Sequence, residues 1–208
     1  MNIIIHYASN SSVEILCFLL ESQIKFKSIY VHDDDPKKIK LGELKSIYKD
    51  LLVLKKFDEI RNIENSYSII SIGDCDLRDY KYQQIKSLNL KFLTFVHEKA
   101  YVNKYAKIGK GCIIGPYTII APMAQIKDNC IINSNSICGH HSIIGRSSIV
   151  SPHSSILGGA KLGNRVLMGS GSSINSNIKI SSDVKVTSNS VVYKDIYKKK
   201  LIHGNPAK

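Results

Sequence analysis

An aliphatic side chain recurs at every sixth position of the second half of the chain. The register starts at Val96 and holds through 17 consecutive positions without an insertion, and only Cys138 among them is not a standard aliphatic residue. These positions are Val96, Val102, Ile108, Ile114, Ile120, Ile126, Ile132, Cys138, Ile144, Val150, Ile156, Leu162, Met168, Ile174, Ile180, Val186 and Val192. A period of six is neither the 3.6 of an amphipathic helix nor the 2 of a half-buried strand. The pattern therefore argues against both helices and a β-sandwich in this half.

A solenoid coil of three short strands and three tight turns, 18 residues in all, explains the period. The aliphatic residue of each hexad points inward and stacks on the one 18 residues further on, and about six such coils stabilise one another by stacking. A small residue four places later, such as Cys112 or Cys130, fits the narrow corner, so we expect these two cysteines stacked inside the coil. Gly or Asn often follows the aliphatic residue, and near a turn either tolerates a positive φ.

The first 95 residues alternate between predicted strands and helices instead. Strands are predicted at residues 2–6, 26–31, 50–54, 67–72 and 90–96, and helices at 11–22, 57–63 and 76–88. Alternation of this kind is typical of a small parallel α/β sheet. The sequence thus predicts two domains: residues 1–95, Rossmann-like, and residues 96–208, the solenoid with a C-terminal tail.

Ligands of parallel sheets bind beyond the carboxyl ends of the strands. Two loops of the first domain lie there: residues 7–12, which include Ser9, and an acidic loop that holds Asp33 and Asp34. We expect Ser9, Asp33 and Asp34 to hydrogen-bond a nucleotide or a sugar, although a solvated turn before a helix explains the acidic residues equally well. The loop lacks the GxGxxG fingerprint, so no nicotinamide cofactor is predicted.

Composition and charge narrow the classes of function. The 208 residues are 43% hydrophobic, and the longest apolar candidate, residues 13–20, is far shorter than the roughly 18 residues of a membrane span. No signal peptide is recognised, and five cysteines without a CxxC pair indicate a reducing compartment, so a cytoplasmic protein is expected. The net charge is +1 for residues 1–95 (14 basic, 13 acidic) and +11 for the rest (15 basic, 4 acidic). The second half therefore favours an anionic ligand, but its scattered charges argue against nucleic acid.

The repeats resemble those of the hexapeptide-repeat acyltransferases. That resemblance implies a left-handed parallel β-helix, acetyl-CoA as co-substrate and a homotrimer. The whole chain is similar to bacterial sugar acetyltransferases of the nucleotide-4-amino-sugar N-acetyltransferase and sialic acid O-acetyltransferase type. The segments that carry the likeness are YVHDDDP (30–36), ISIGDCDLR (70–78), the repeats, and NSVVYKDI and HGNPAK near the end (189–196, 203–208).

The repeat register places His140 and His141 on a turn rather than in the core. The segment NSNSICGHHSIIG (133–145) resembles the family's catalytic stretch, which implies His140 as general base and Asn133 as an accompanying residue. Gly158 is 18 residues after His140, so the spacing places its N–H one coil above the imidazole, where the resemblance implies an oxyanion donor. We further expect His141 to contact the sugar. Gly158, Gly159, Lys161 and Arg165 are expected to contact coenzyme A.

Several alternatives remain at this level. Family members commonly carry a carboxylate where this chain has His141 and a glycine-rich loop where it has residues 7–12. The predicted reaction is acetyl transfer to the amine of a nucleotide-linked amino sugar in glycan biosynthesis, by direct attack on the thioester. An O-acetyltransferase of sialic acid type and a non-catalytic sugar- or CoA-binding protein are the alternatives. A zinc enzyme is disfavoured because adjacent histidines diverge on one turn, and a Cys138 acyl-enzyme because that residue points inward.

Overall fold

The structure, a computed structural model, describes residues 1–6, 10–35, 41–198 and 201–207. The chain forms two compact units, Met1–Leu93 and Thr94–Lys208. The division falls two residues before the boundary expected from sequence. The reason is that Phe95–Val96 already pairs in register with Ile113–Ile114 of the second unit.

The first unit is built on a parallel sheet of five strands in the order β3-β2-β1-β4-β5. Its elements are β1 (Asn2–His6), α1 (Asn10–Glu21), β2 (Ser28–His32), α2 (Leu41–Ile47), β3 (Leu52–Leu54), a 3₁₀ helix (Phe57–Asn62), β4 (Ser66–Ile70), α3 (Cys75–Ser87) and β5 (Lys91–Phe92). Ile3, Ile4 and Ile5 on the central strand are all buried, as expected for a strand covered on both faces. The order is that of the Rossmann half-fold, in which the strand sequence reverses beside β1.

Three features of residues 1–96 differ from the sequence-based prediction. Helix α2 was not predicted, and the helix expected over residues 57–63 is the 3₁₀ helix. The single strand expected over residues 90–96 is two strands, β5 and β6 (Phe95–Val96), and β6 belongs to the second unit. The break lies at Thr94, whose hydroxyl donates to the carbonyl of Gly109 and accepts the N–H of Gly111. The sequence LKFLTFV (90–96) hides this break, because apolar residues stand on both sides of Thr94.

The second unit consists of two-residue strands that recur every six residues. Over the fully described stretch 95–192 these are β6 (Phe95–Val96), β7 (Tyr101–Val102), β8 (Lys107–Ile108), β9 (Ile113–Ile114), β10 (Ile119–Ile120), β11 (Gln125–Ile126), β12 (Ile131–Ile132), β13 (Ile137–Cys138), β14 (Ile143–Ile144), β15 (Ile149–Val150), β16 (Ser155–Ile156), β17 (Lys161–Leu162), β18 (Leu167–Met168), β19 (Ser173–Ile174), β20 (Lys179–Ile180), β21 (Lys185–Val186) and β22 (Val191–Val192). Each strand pairs in parallel with the strands 18 residues before and after it, which produces three sheets around one core. The second residue of every strand is the aliphatic residue of the repeat.

The core of this β-helix is the column of inward aliphatic residues. From Ile114 to Val192 every such residue is buried, whereas Val96 in the first coil is 40% exposed. Cys112 and Cys130 are stacked at the corners, fully buried, and their thiols donate to the carbonyls of Lys127 and Gly145. These two corner residues are thus small enough for the corner and also carry a donor that reaches the backbone 15 residues on.

The left-handed backbone conformation falls at a different place in the repeat from the one expected. Positive φ occurs three residues after the aliphatic residue, as at Met123 (62°), His141 (57°) and Gly159 (71°), and not at the Gly or Asn one residue after it. The glycine at that earlier position serves close packing instead. A Cβ on Gly139 would lie 2.8 Å from the nitrogen of Gly158 and 2.9 Å from the oxygen of Ile156, both backbone atoms of the next coil.

The C-terminal residues cover the last coil. Strand β23 (Leu201–Ile202) pairs in parallel with β21, and Ile196 forms a bridge with Ile180. Val191 and Gly204 continue the pairing, since the N–H of Val191 donates to the carbonyl of Gly204. These bonds occupy backbone groups that the open end of a parallel sheet leaves unpaired.

Candidate active site

One edge of the β-helix, which we call the histidine edge, is formed by four stacked corners. The corners are residues 122–123, His140–His141, Gly158–Gly159 and residues 176–177. Backbone hydrogen bonds fix the stack: His141 N–H donates to the carbonyl of Pro122 (3.1 Å) and Gly159 N–H to that of His140 (2.8 Å). The 18-residue spacing therefore places Gly158 directly over His140.

The imidazole of His140 lies against the bare Cα of Gly158. A Cβ added there would be 2.5 Å from both Cε1 and Nε2 of the ring, so only glycine leaves room for this ring position. His140 is exposed to solvent, and its Nε2 lies on the side of the ring that faces Gly158. The exposure is what a base needs if it is to reach an incoming substrate.

The N–H of Gly158 has no acceptor among the described residues. At the equivalent corner position on another edge the N–H groups are taken by side chains one coil further on. Lys110 donates to Asp128 Oδ1, Arg146 to Asn164 Oδ1 and Asn164 to Ser182 Oγ, all at 2.9–3.0 Å. The histidine edge thus holds an imidazole nitrogen and an unengaged backbone donor side by side, which suits a site where negative charge develops on a carbonyl oxygen.

His140 and His141 form a side-chain pair. Their Nδ1 atoms are 3.2 Å apart, and the rings are nearly perpendicular (84°) with centroids 5.4 Å apart. Both rings are exposed. One Nδ1 must carry the proton and the other must accept it, so the tautomers of the two rings are linked.

The other residues expected to contact coenzyme A divide into two groups. Gly159 is on the histidine edge, and Lys161 follows it on β17, where it pairs in register with Lys179. Arg165 lies on the next edge, where its Nε and Nη2 bind the carboxylate of Asp183 at 2.7 and 3.0 Å. The structure therefore places Lys161, but not Arg165, next to the glycine corner.

Asn133 is not beside His140 within one chain. It occupies the preceding corner of the same coil, and strand β13 separates the two residues. Its N–H donates to the carbonyl of Val150, and its carbonyl accepts the hydroxyl of Thr118. Asn133 can meet His140 only if a different copy of the chain supplies it.

The sequence raises two other chemistries, one at Cys138 and one at a metal. Cys138 is fully buried, and burial raises the pKa of its thiol to about 12, so it is neither ionised nor accessible to a thioester. No group of three or more His, Cys, Asp or Glu side chains in the described part of the chain has the arrangement of a metal site.

The described part of the chain holds no helix long and apolar enough to cross a membrane.

The first unit carries a second polar cluster, at the carboxyl ends of β1 and β2. His6 and His32 end these two strands as register partners, and both are buried, with ring centroids 6.0 Å apart. Nδ1 of each ring is buried, and neither has a hydrogen-bond partner among the residues that the structure describes. Burial holds the pKa of His6 well below its ordinary value, and it lowers that of His32 against the opposing effect of Asp34.

The acidic loop next to this cluster holds the two predicted carboxylates in different surroundings. Asp33 is buried and accepts the N–H of Asp35 at 2.9 Å, whereas Asp34 is half exposed and binds Nζ of the buried Lys81 at 2.6 Å. Ser9 lies outside the described residues. The sequence analysis missed His6, His32 and Lys81. The available signal was that two adjacent strands, NIIIH and SIYVH, each end in histidine.

The fold and the histidine edge together define the protein as a left-handed parallel β-helix of hexapeptide repeats, preceded by a Rossmann-like sheet, as predicted. Comparison with family models then assigns it: the chain belongs to the family described as GMPPB C-terminal domain, whose model matches residues 93–202. No curated protein sequence matches the chain.

Three similar solved structures extend over the whole chain. The acetyltransferase domain of PglB from Neisseria gonorrhoeae FA1090 has a TM-score of 0.86 at 19% identity, covering 100% of this chain and 98% of that one. PerB from Caulobacter crescentus, in complex with CoA and GDP-perosamine, has 0.85 at 21%, covering 100% and 96%. WeeI from Acinetobacter baumannii AYE has 0.72 at 16%, covering 100% and 99%. These similarities confirm the expected fold.

Proposed function

We propose that this protein is an acetyltransferase that transfers the acetyl group of acetyl-CoA to the amine of a nucleotide-linked amino sugar, as a cytoplasmic step of bacterial surface glycan biosynthesis. Support comes from the structures with the same fold. PglB's acetyltransferase domain has been solved with acetyl coenzyme A, and PerB, a perosamine N-acetyltransferase, with CoA and GDP-perosamine. Each of these matches covers the whole of the present chain.

The observation that carries the proposal is the position of the His140 ring over Gly158. It juxtaposes a proton acceptor, Nε2, with the unengaged N–H of Gly158. Acyl transfer needs these two groups within one carbonyl's reach, because the attacking amine must lose a proton while the carbonyl oxygen gains charge. Histidine is also the side chain that most often acts as a general base in such reactions.

In the reaction we propose, the neutral amine attacks the thioester carbon and a C–N bond forms. The carbonyl oxygen becomes an oxyanion, which accepts the N–H of Gly158, and the amine proton moves to Nε2 of His140. The C–S bond then breaks as the carbonyl re-forms, and the imidazolium returns the proton to the departing CoA thiolate. No covalent enzyme intermediate is involved, in keeping with the buried, un-ionised thiol of Cys138.

Coenzyme A is assigned to the face that leaves the histidine edge. Gly158 and Gly159 have no side chains to obstruct the pantetheine arm, and Lys161 and Lys179 provide two paired ammonium groups for its phosphates. Arg165 is the weaker candidate, since Asp183 already neutralises its guanidinium.

The nucleotide or sugar is assigned to the acidic loop of the first unit. Asp33, Asp34 and Ser9 are the proposed contacts, and the buried Lys81 holds the carboxylate of Asp34 in place at 2.6 Å. At the other site, His141 and Asn133 are the proposed contacts to the sugar that is acetylated.

We further propose a homotrimer. The outward residues Tyr101, Ile119 and Ile137 are exposed and pair in register across β7, β10 and β13, so they form an apolar stripe on one face of the β-helix. Covering this stripe with a second copy would bury apolar surface. It would also offer a way for Asn133 of one copy to reach His140 of another.

The proposal is tested by acetyl transfer in the purified protein. Acetyl-CoA is supplied with a panel of nucleotide-linked amino sugars, and both free thiol and acetylated sugar are quantified. His140→Ala should reduce the rate by about 10²- to 10⁴-fold, the usual contribution of a positioned base. His153→Ala is the matched control, because His153 is also an exposed corner histidine (φ 59°) but lies on another edge. Full activity of His140→Ala would refute the assignment, and binding without turnover by the wild type would favour a non-catalytic protein.

A further inference from the structure

The His140–His141 pair leaves one question for the mechanism: which ring nitrogen of His140 carries the proton. Nε2 faces Gly158 and Nδ1 faces Nδ1 of His141 at 3.2 Å. If the proton is on Nε2, the nitrogen next to the reacting centre is a donor and cannot act as a base. If it is on Nδ1, Nε2 presents a lone pair.

We propose that His141 is a positioning residue, whose unprotonated Nδ1 accepts the Nδ1–H of His140 and so keeps Nε2 of His140 free to take the substrate proton. This inference rests on the proposed function, in which His140 is the base. His141 then acts through His140, with its own proton on Nε2. A neutral imidazole thereby performs the orienting task for which a carboxylate is the more familiar partner.

The backbone holds His141 where this role requires it. Its φ of 57° is left-handed, a conformation in which histidine is tolerated better than most side chains, and its N–H is tied to the carbonyl of Pro122. The corner below therefore holds the backbone of His141 in place.

No ionisable side chain of the stacked corners competes for Nδ1 of His140. The corner below is Pro122–Met123 and the corner above is Gly158–Gly159. The strand before this corner, β13, contributes only the inward, un-ionised Cys138. On the sheet that leaves this edge, the outward charges are Lys107, Lys161 and Lys179, which lie on other coils.

A neutral partner has a consequence that a carboxylate does not share. A proton added to Nδ1 of His141 removes the acceptor and sets a like charge beside His140. A carboxylate at this position would instead stabilise the imidazolium of His140. Replacing His141 with Glu should therefore move the acidic limb of the rate profile to higher pH.

The experiment compares three variants with the wild type. His141→Met removes the acceptor. The corner below already has a methionine, Met123, at a similar φ (62° against 57°), so the backbone tolerates this residue. His141→Glu restores an acceptor. His153→Met is the matched control on another edge. The readouts are the tautomer of His140, from two-bond ¹⁵N–¹H correlation spectra of ¹⁵N-histidine-labelled protein, and the pH dependence of kcat.

We expect the Nδ1–H tautomer of His140 in the wild type and in His141→Glu, and its loss in His141→Met. The Met variant should lose roughly 10- to 100-fold in kcat, the usual cost of removing the partner that orients a working histidine, with KM for acetyl-CoA changed by less than about threefold. His141→Glu should recover most of the rate with its acidic limb at higher pH.

An Nε2–H tautomer in the wild type would overturn the inference, as would a Met variant with unchanged tautomer and rate. If the wild type transfers no acetyl group to any amino sugar, the proposed function fails. In that case the tautomer spectra still decide whether His141 keeps the proton of His140 on its Nδ1.

Discussion

The substitution Gly158→Ala should lower the rate of acetyl transfer while leaving the stability of the fold nearly unchanged. The added Cβ would lie 2.5 Å from Cε1 and Nε2 of His140, whereas unbonded carbon atoms settle near ~3.5 Å, so the ring must move by about 1 Å. The moving group is the end of an exposed side chain, and the φ of Gly158 is outside the left-handed region. We therefore expect the free energy of unfolding to change by less than about 0.5 kcal/mol.

Activity should respond very differently. A displacement of about 1 Å at the reacting group costs on the order of 10²-fold in rate. Gly158→Ala should thus lower kcat about 100-fold at saturating acetyl-CoA and sugar, with urea unfolding midpoints close to the wild type. Product formation at saturation and urea titration followed by circular dichroism measure the two quantities on the same preparation.

Gly139 provides the matched comparison. Its added Cβ would meet backbone atoms, at 2.8 Å from the nitrogen of Gly158 and 2.9 Å from the oxygen of Ile156, and backbone cannot rotate away. Gly139→Ala should lower the unfolding free energy by about 1–3 kcal/mol, the usual cost of overpacking. Gly73→Ala, where nothing lies within 4 Å of the added Cβ, is the neutral control. A Gly158→Ala protein with wild-type kcat would show that the ring over Gly158 is not the reacting centre.

Two further predictions concern stability. Ile144→Ala should cost about 2–5 kcal/mol in urea unfolding because Ile144 is fully buried, whereas alanine at its half-buried outward neighbour Ile143 should cost much less; equal losses would contradict the inward stacking. Since burial lowers the folded-state pKa of His6 and His32, the unfolded chain binds more protons below pH ~6.5, so stability should be full above that pH and fall as the pH drops, by up to about 1.4 kcal/mol per pH unit for each ring. His6→Asn should remove its share of that slope between pH 6.5 and 5, and an unchanged slope would exclude the buried ring as its source.

The β-helix could be predicted almost residue by residue because its period is local. Each hexad repeats the same demand, an inward aliphatic residue such as Ile144 and a small corner residue such as Ser142, so one register accounts for every strand from β6 to β22. The same register also placed Gly158 over His140. Sequence alone did not show that the left-handed residue stands three places after the aliphatic one, since Tyr, Met, Asn, His, Ser, Arg and Asp all occupy that position.

The features that sequence could not supply depend on directions of side chains and on distant partners. Arg165 appears as available to a phosphate as Lys161 until the structure shows Asp183 bound to it one coil further on. Asn133 and His140, only seven residues apart, lie on different edges because a whole strand separates their corners.

The His140–His141 pair shows the same limit most directly. Two adjacent polar residues on a turn normally diverge, and on that ground the sequence argued against a zinc site at these histidines. The left-handed backbone at His141 changes the direction of its side chain, so the two Nδ1 atoms converge to 3.2 Å. At this position His141 can accept a hydrogen bond from His140, as a carboxylate would. The chemical difference is that a neutral imidazole carries no negative charge.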